Sequence, residues 1–258
     1  MKKIFTSILI ALIATSCMFA GEGRGIRIFK NSGVTLVGNC TEKGIDFSEF
    51  RNMDSFDRLA ISGPFNVYYV QSDESKVLVE GRKEDVEKLI TKVSGSTLTV
   101  KLQDGRYNSL VLRVTVYSPD IVSVSKSGSG NFIDDKGHKS NSDLSYSSSG
   151  SGIFKIGVIN CGDFDFSISG SGRIEAESLK CKDASFRISG SGNVDIENFY
   201  ADGDVDLRIS GSGRMELNGE VTGVVDASIS GSGNISGKLA TGGLESHISG
   251  SGSVRFNR

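Results

Sequence analysis

The four-residue string SGSG recurs seven times in this chain, beginning at Ser127, Ser149, Ser169, Ser189, Ser210, Ser230 and Ser249. The copies fall on an even beat. A fixed period of about 20 residues marks a repeat architecture, in which one unit is too small to bury an apolar face and stacked units share a continuous core. Gly-Ser strings alone behave as flexible linkers, but the flanks here exclude that reading. Before Ser169 the chain reads Phe164-Asp-Phe166-Ser-Ile168, before Ser189 Ala184-Ser-Phe186-Arg-Ile188, and before Ser210 Val205-Asp-Leu207-Arg-Ile209. Alternation resumes after each SGSG, as in Ile174-Glu-Ala176, Val194-Asp-Ile196 and Met215-Glu-Leu217. Strict apolar/polar alternation specifies a strand with one buried face.

Each repeat therefore reads as strand, SGSG corner, strand and short connection. Two or three short strands in such a repeat fit one coil of a parallel β-solenoid, with glycines supplying corner conformations that a β-carbon forbids. Six coils at about 4.8 Å each span roughly 29 Å. The fold class expected is all-β: a parallel, β-helix-like solenoid of ~20-residue repeats. With 33 Gly and only 2 Pro, the composition suits repeated tight corners and strands that must all pair.

The same step, apolar-Ser-Gly followed by alternation, occurs earlier at Ile61-Ser-Gly-Pro-Phe65-Asn-Val67 and Val93-Ser-Gly-Ser-Thr-Leu98-Thr-Val100. Val86, Leu89, Ile90 and Val93 fall at helical spacing, which predicts a short helix over 83–92. Residues 51–120 are thus expected to form a β-rich N-terminal region with one helix, either larger irregular coils or a cap. Residues 121–258 form the repeat solenoid. A cap is expected because a bare solenoid end is an open sheet edge.

The N-terminus carries a targeting segment. Lys2 and Lys3 precede an apolar run over residues 4–13, then Ala14-Thr-Ser-Cys17. That is the pattern of a secretory signal peptide, too short for a permanent membrane span. Residues 14–17 resemble the lipobox of bacterial lipoproteins, which makes Cys17 a candidate lipidation site and residues 1–17 the signal peptide. The usual leucine three before the cysteine is Ala14 here; cleavage after Ala20 and an incidental thiol are the alternatives. Residues 18–50 are expected to be an extension that tethers the domain. The membrane is then reached through the lipid anchor only.

Chemistry-bearing residues are sparse. Net charge is −2, so no basic footprint for nucleic acid exists. Cys161 and Cys181 stand at the same offset from their SGSG serines, Ser149 and Ser169, which stacks them on adjacent coils within disulfide reach. They are read as small buried thiols, with a bridge as the alternative. His138 falls in the polar loop of the first repeat and His247 at an outward place before the last SGSG; neither has a motif around it. The many SGSG serines recur where an active-site residue is needed once. No catalytic residue, metal site or cofactor is expected, and the chain is read as a non-enzyme.

Two outward columns stand out. One holds Asp165, Ser185, Asp206, Asp226 and Glu245; the next holds Ser167, Arg187, Arg208, Ser228 and His247. Repeated outward columns let a ligand be read by several weak, equivalent contacts. Arg187 and Arg208 beside Asp206 and Asp226 are the candidate binding surface. A solvated ladder that merely fixes register looks the same.

One resemblance covers residues 53–258. Phe56-Asp-Arg-Leu-Ala-Ile-Ser-Gly-Pro-Phe-Asn-Val67, an acidic turn at Asp73-Glu74, a short helix, Gly95-Ser-Thr-Leu-Thr-Val100 and then repeated Ile-Ser-Gly-Ser-Gly are similar to the head GIN domain of putative auto-transporter adhesins. The resemblance implies a bacterial cell-envelope β-solenoid, periplasmic or surface-exposed. It brings no catalytic residues to transfer. The function expected is a non-enzymatic binding scaffold whose side-chain ladders meet a glycan or another envelope or host surface partner. The alternatives are a structural, self-assembling envelope protein and, third, a carbohydrate-active enzyme.

Overall fold

A computed structural model describes residues 28–31 and 33–257 of the chain. It is almost entirely β, a parallel solenoid of about 7 turns with one short helix. The expected signal segment and Cys17 lie outside the described residues.

Each coil contributes two strands joined by the SGSG corner. Phe164–Gly170 and Arg173–Cys181 form one coil, and Ala184–Gly190 and Asn193–Ala201 the next. Equivalent strands pair in parallel and in register: Phe166 opposite Phe186, Phe186 opposite Leu207, Leu207 opposite Ala227. The SGSG serines stack on one another in the same way, as do the glycines that follow them. The inward positions form the core. An aromatic chain runs along the axis, with ring centroids 5.9 Å apart for Phe132 and Tyr146, 5.7 Å for Tyr146 and Phe164, and 5.7 Å for Phe164 and Phe186. Beyond Phe186 and Phe199 the core turns aliphatic, through Leu207, Val225 and Ile229.

The first coil begins before the first SGSG. Arg58–Ser62 pairs in parallel with Ser123–Gly128, so Ile61 stands in the same column as the later corner residues. Between these two coils the chain inserts a cap. Within it, Thr97–Leu102 stacks in parallel on Arg58–Ser62 and continues antiparallel into Leu89–Ser94. On the adjoining face Leu110–Ser118 pairs with Asn66–Gln71 and Lys76–Gly81. The step at Val93 is therefore a hairpin turn at Gly95 (φ 59°), not a solenoid corner.

Two expectations are corrected here. The helix spans Lys83–Val86 only, and Leu89–Ser94 is a strand. Ile90, Thr91 and Val93 are β-branched and favour extended backbone, and a partner strand stands opposite them. The segment expected to tether the domain is part of the fold from Ile28 onward. Ile28–Asn31 and Val34–Val37 form a small sheet with Gly105–Tyr107, and Phe47–Asn52 pairs with Lys76–Gly81. Its alternating Val34-Thr-Leu36 buries Leu36 to 2% exposure. No helix among the described residues is long and apolar enough to cross a membrane.

Candidate functional site

The SGSG face carries a groove of about 710 Å³ that runs along the coils. Three neighbouring columns line it. One is the SGSG serines, from Ser127 to Ser249. The second, two positions earlier in each strand, runs from Ser125 through Arg187 and Arg208 to His247. The column between them is inward-facing and lies beneath the floor. Seven coils at about 4.8 Å per step give the groove a length of roughly 29 Å. Most of the lining side chains are serines. The others are isoleucines, Lys126, Arg187, Arg208 and His247; none is acidic, and none is Phe, Tyr or Trp.

The corner glycines fix this surface. Gly170, Gly190, Gly211 and Gly231 all have φ between 122° and 130°, a region that β-carbon sterics close to other residues. The chain turns there directly after the serine, which keeps the hydroxyl column in line from coil to coil.

The four surface residues singled out in the sequence divide. Asp206 accepts one arginine on each carboxylate oxygen, with Arg187 Nη2 at 3.1 Å from Oδ2 and Arg208 Nε at 2.8 Å from Oδ1. Arg187 Nη1 also lies 3.6 Å from Asp165 on the preceding coil. Exposed pairs of this kind add little stability, but they fix the orientation of both guanidiniums. Asp226 stacks beside Asp206 in the strand register. It makes no ion pair among the described residues, and it lies outside the groove, as do Asp165, Asp206 and Glu245. The structure thus brings Arg187, Arg208 and Asp206 into one cluster and leaves Asp226 at its edge.

Two groove residues escaped the sequence reading. The floor column reads Ile61, Lys126, Ser148, Ile168, Ile188, Ile209 and Ile229 along the register. Lys126 and Ser148 break an isoleucine ladder on adjacent rungs. They are 1% and 3% exposed, and neither Nζ nor Oγ has a hydrogen-bond partner among the described residues. Lys126 Nζ lies 5.6 Å from the Phe154 ring centroid, inside the core. Burial alone pushes its pKa down to about 8. The signal was present: aligning Ser-Lys126-Ser-Gly and Ser-Ser148-Ser-Gly on the later Ser-Ile-Ser-Gly places a charge and a hydroxyl at an inward position.

His138 is corrected from a polar loop to the core. Its Nδ1 lies 2.6 Å from Asp134 Oδ2 and its Nε2 3.4 Å from the Tyr146 hydroxyl, and the imidazole and carboxylate are 0% and 1% exposed. An Asp–His pair sealed in this way has no route to a substrate. The cysteines stack as the period requires. Cys181 is buried and Cys161 half-buried, both as free thiols. No group of three or more metal-ligating side chains occurs among the described residues.

The family model for the putative auto-transporter adhesin, head GIN domain, matches residues 55–238. Among solved structures, a putative adhesin from Bacteroides fragilis NCTC 9343 superposes with a TM-score of 0.76 at 21% identity, covering 85% of this chain and 100% of that one. A putative lipid binding protein from Parabacteroides distasonis ATCC 8503 gives 0.71 at 22% identity, covering 85% and 99%. A putative adhesin from Parabacteroides merdae ATCC 43184 gives 0.67 at 19%, covering 86% and 99%. At these identities the likeness to the solved structures is one of fold. No curated protein matches the chain.

Proposed function

The chain belongs to the family of the putative auto-transporter adhesin, head GIN domain, and from that premise we propose that it is an extracytoplasmic binding protein that holds a surface partner in the SGSG groove without turnover. The observation that carries this reading is the groove itself. A ligand laid along it meets the same hydroxyl column at every coil, so weak contacts add over roughly 29 Å. The partner such a surface suits is an extended glycan, whose repeated hydroxyls match repeated serine donors and acceptors. Binding is favoured over catalysis because the Asp134–His138 pair is sealed in the core and, among the described residues, no groove serine is hydrogen-bonded to Lys126 or His247 as a nucleophile is to its base.

The test is a panel of neutral and acidic polysaccharides, with lipid vesicles as a third arm, scored for both binding and cleavage. Saturable polysaccharide binding with no product is expected. Cleavage abolished by one Asp or Glu substitution overturns the non-enzyme reading, and binding to vesicles alone overturns the glycan. We also propose that Cys17 is lipid-modified and anchors the chain. Fatty-acid label in the wild type and none in Cys17→Ala is the expected result, and no label in either overturns it.

A second reading, end-to-end assembly, has one observation in its favour. Leu244 and Ile248 occupy inward positions of the last described coil, yet are 46% and 41% exposed. Sedimentation distinguishes it: concentration-dependent mass growth lost in Leu244→Ser/Ile248→Ser supports assembly.

A further inference from the structure

The groove has a chemical bias that the serine ladders alone do not impose. Every ionisable group lining it is basic: Lys126, Arg187, Arg208 and His247. The acids of the same sheet face stand one outward column away, at Asp165, Asp206, Asp226 and Glu245, two positions back along each strand. That is roughly 7 Å from the basic column and on the side away from the serines. A ligand seated between the two lining columns meets the arginines first. The arginines are partly offset by Asp206 and Asp165. Lys126 has no carboxylate to offset it: its ammonium has no hydrogen-bond or ion-pair partner among the described residues and faces only the Phe154 ring, 5.6 Å from its centroid.

Lys126 also stands where later coils place isoleucine. Four successive coils place isoleucine in its column, at Ile168, Ile188, Ile209 and Ile229, and each packs against the coil above. Ile168 Cγ2 lies 2.7 Å from where a β-carbon of Gly192 would stand. In the first repeat Lys126 Nζ holds the corresponding place, 2.5 Å from where a β-carbon of Gly152 would stand. An ammonium where the pattern asks for a hydrocarbon, met only by the face of the Phe154 ring, is a local conflict of the kind that natural chains keep at functional positions. Beneath the groove floor its charge is screened less than that of an exposed lysine.

Resting on the reading of the groove as a glycan site, we propose that its ligand is an acidic polysaccharide: a linear, hydroxyl-rich polymer carrying carboxylates, drawn by the Lys126 charge under the floor and met by Arg187 and Arg208 in the wall. Serine hydroxyls take the sugar hydroxyls, and the guanidiniums, braced from outside by Asp206, take carboxylates. Lys126 makes no contact with the ligand and acts through its field. Single-stranded nucleic acid is a poorer occupant, because the groove has no Phe, Tyr or Trp and offers a base only the His247 ring at one end, where successive bases need successive platforms.

The experiment uses the full chain at pH 7 and low salt. The probes are polygalacturonate, alginate and hyaluronan, with fully methyl-esterified polygalacturonate as the uncharged match and polyuridylate and phosphatidylglycerol vesicles as competing polyanions. At least one acidic polysaccharide is expected to bind, at least tenfold more tightly than the ester, with affinity falling as salt rises. Arg187→Ala/Arg208→Ala and Lys126→Met are each expected to weaken the acidic polymer several-fold and to weaken a neutral glucan by a smaller factor. Lys126→Met is the sharper variant, because methionine suits a hydrocarbon column and the melting midpoint reports the fold separately: weaker binding at an unchanged or higher midpoint does not come from unfolding. Equal binding of acid and ester, with both variants silent, overturns the inference and leaves the glycan reading standing. Binding of no polysaccharide overturns both, and tighter binding of polyuridylate or vesicles than of every acidic polysaccharide overturns the choice of occupant.

Discussion

The carbonyl oxygen of Gly190 lies 2.4 Å from where a β-carbon of Gly211 would stand, on the next coil. Gly211 also holds φ at +129°. A side chain there meets two penalties: a backbone region that costs about 1–3 kcal/mol for non-glycine residues, and a collision with main chain that cannot rotate away. Gly211→Val is expected to destabilise the protein by about 3 kcal/mol or more and to lower the melting midpoint by about 10 °C. Thermal melts followed by circular dichroism check this. An unchanged midpoint would mean that the corners do not carry the stack.

Phe186 joins two stretches of core, with its ring centroid 5.7 Å from Phe164 and 5.8 Å from Phe199. It is 0% exposed. Truncation removes the transfer term and leaves a cavity between coils that the parallel ladder holds open. Phe186→Ala is expected to cost about 3–5 kcal/mol, measured by urea unfolding. Tyr200→Ala, on an exposed side chain, is the control and should fall within about 0.5 kcal/mol of wild type.

The repeat core was legible because period, alternation and corner glycine all demand one answer. Phe164, Phe186 and Leu207 can only be inward once Ser169, Ser189 and Ser210 are aligned. The cap was less legible, because a helical spacing and a hairpin compete over 86–93. The pairing that decides between them, with Thr97–Leu102, depends on a tertiary partner. The site was half legible. Arg187 and Arg208 stand out by their column, but their shared carboxylate depends on side-chain geometry that spacing does not encode. Lys126 was legible only by aligning its SGSG copy on the later ones; within its own strand, alternation assigns the inward rung to hydrocarbon and does not say whether a lysine there is buried.

Cys161 and Cys181 test the register from a different side. Their thiols donate to the carbonyls of Lys180 and Tyr200, each at 3.9 Å. Burial, with nearby charged groups second, pushes Cys161 up to about 12 and Cys181 higher still. Only the thiolate reacts, so both should resist a thiol reagent at pH 8 in the folded protein and react fully in denaturant without reductant. Counting with Ellman's reagent decides it: two fewer thiols in the denatured, unreduced protein than after reduction would establish a bridge.

Burial of the Lys126 ammonium costs the folded protein stability. Its pKa is about 8 in the folded protein, against an ordinary 10.5, because burial disfavours the ammonium. Between these values the unfolded chain binds a proton that the folded protein does not, so the Lys126 contribution to stability rises with pH. It is complete above about 10.5 and lost as pH falls to about 8; at pH 7 both states are charged and the folded one carries the whole penalty. Two and a half pH units correspond to about 3 kcal/mol. Cysteine thiols with raised pKa values, such as Cys161, act in the opposite direction over part of this range, so the wild-type curve alone does not isolate the lysine. The difference from Lys126→Met does. The variant is expected to be more stable than wild type by about 3 kcal/mol at pH 7, with the gap closing between pH 8 and 10.5. Urea denaturation at half-unit pH steps measures it. A gap that is absent at pH 7, or that stays constant to pH 10.5, would show that Nζ reaches water or a partner in solution. The Lys126 charge would then no longer stand uncompensated beneath the groove.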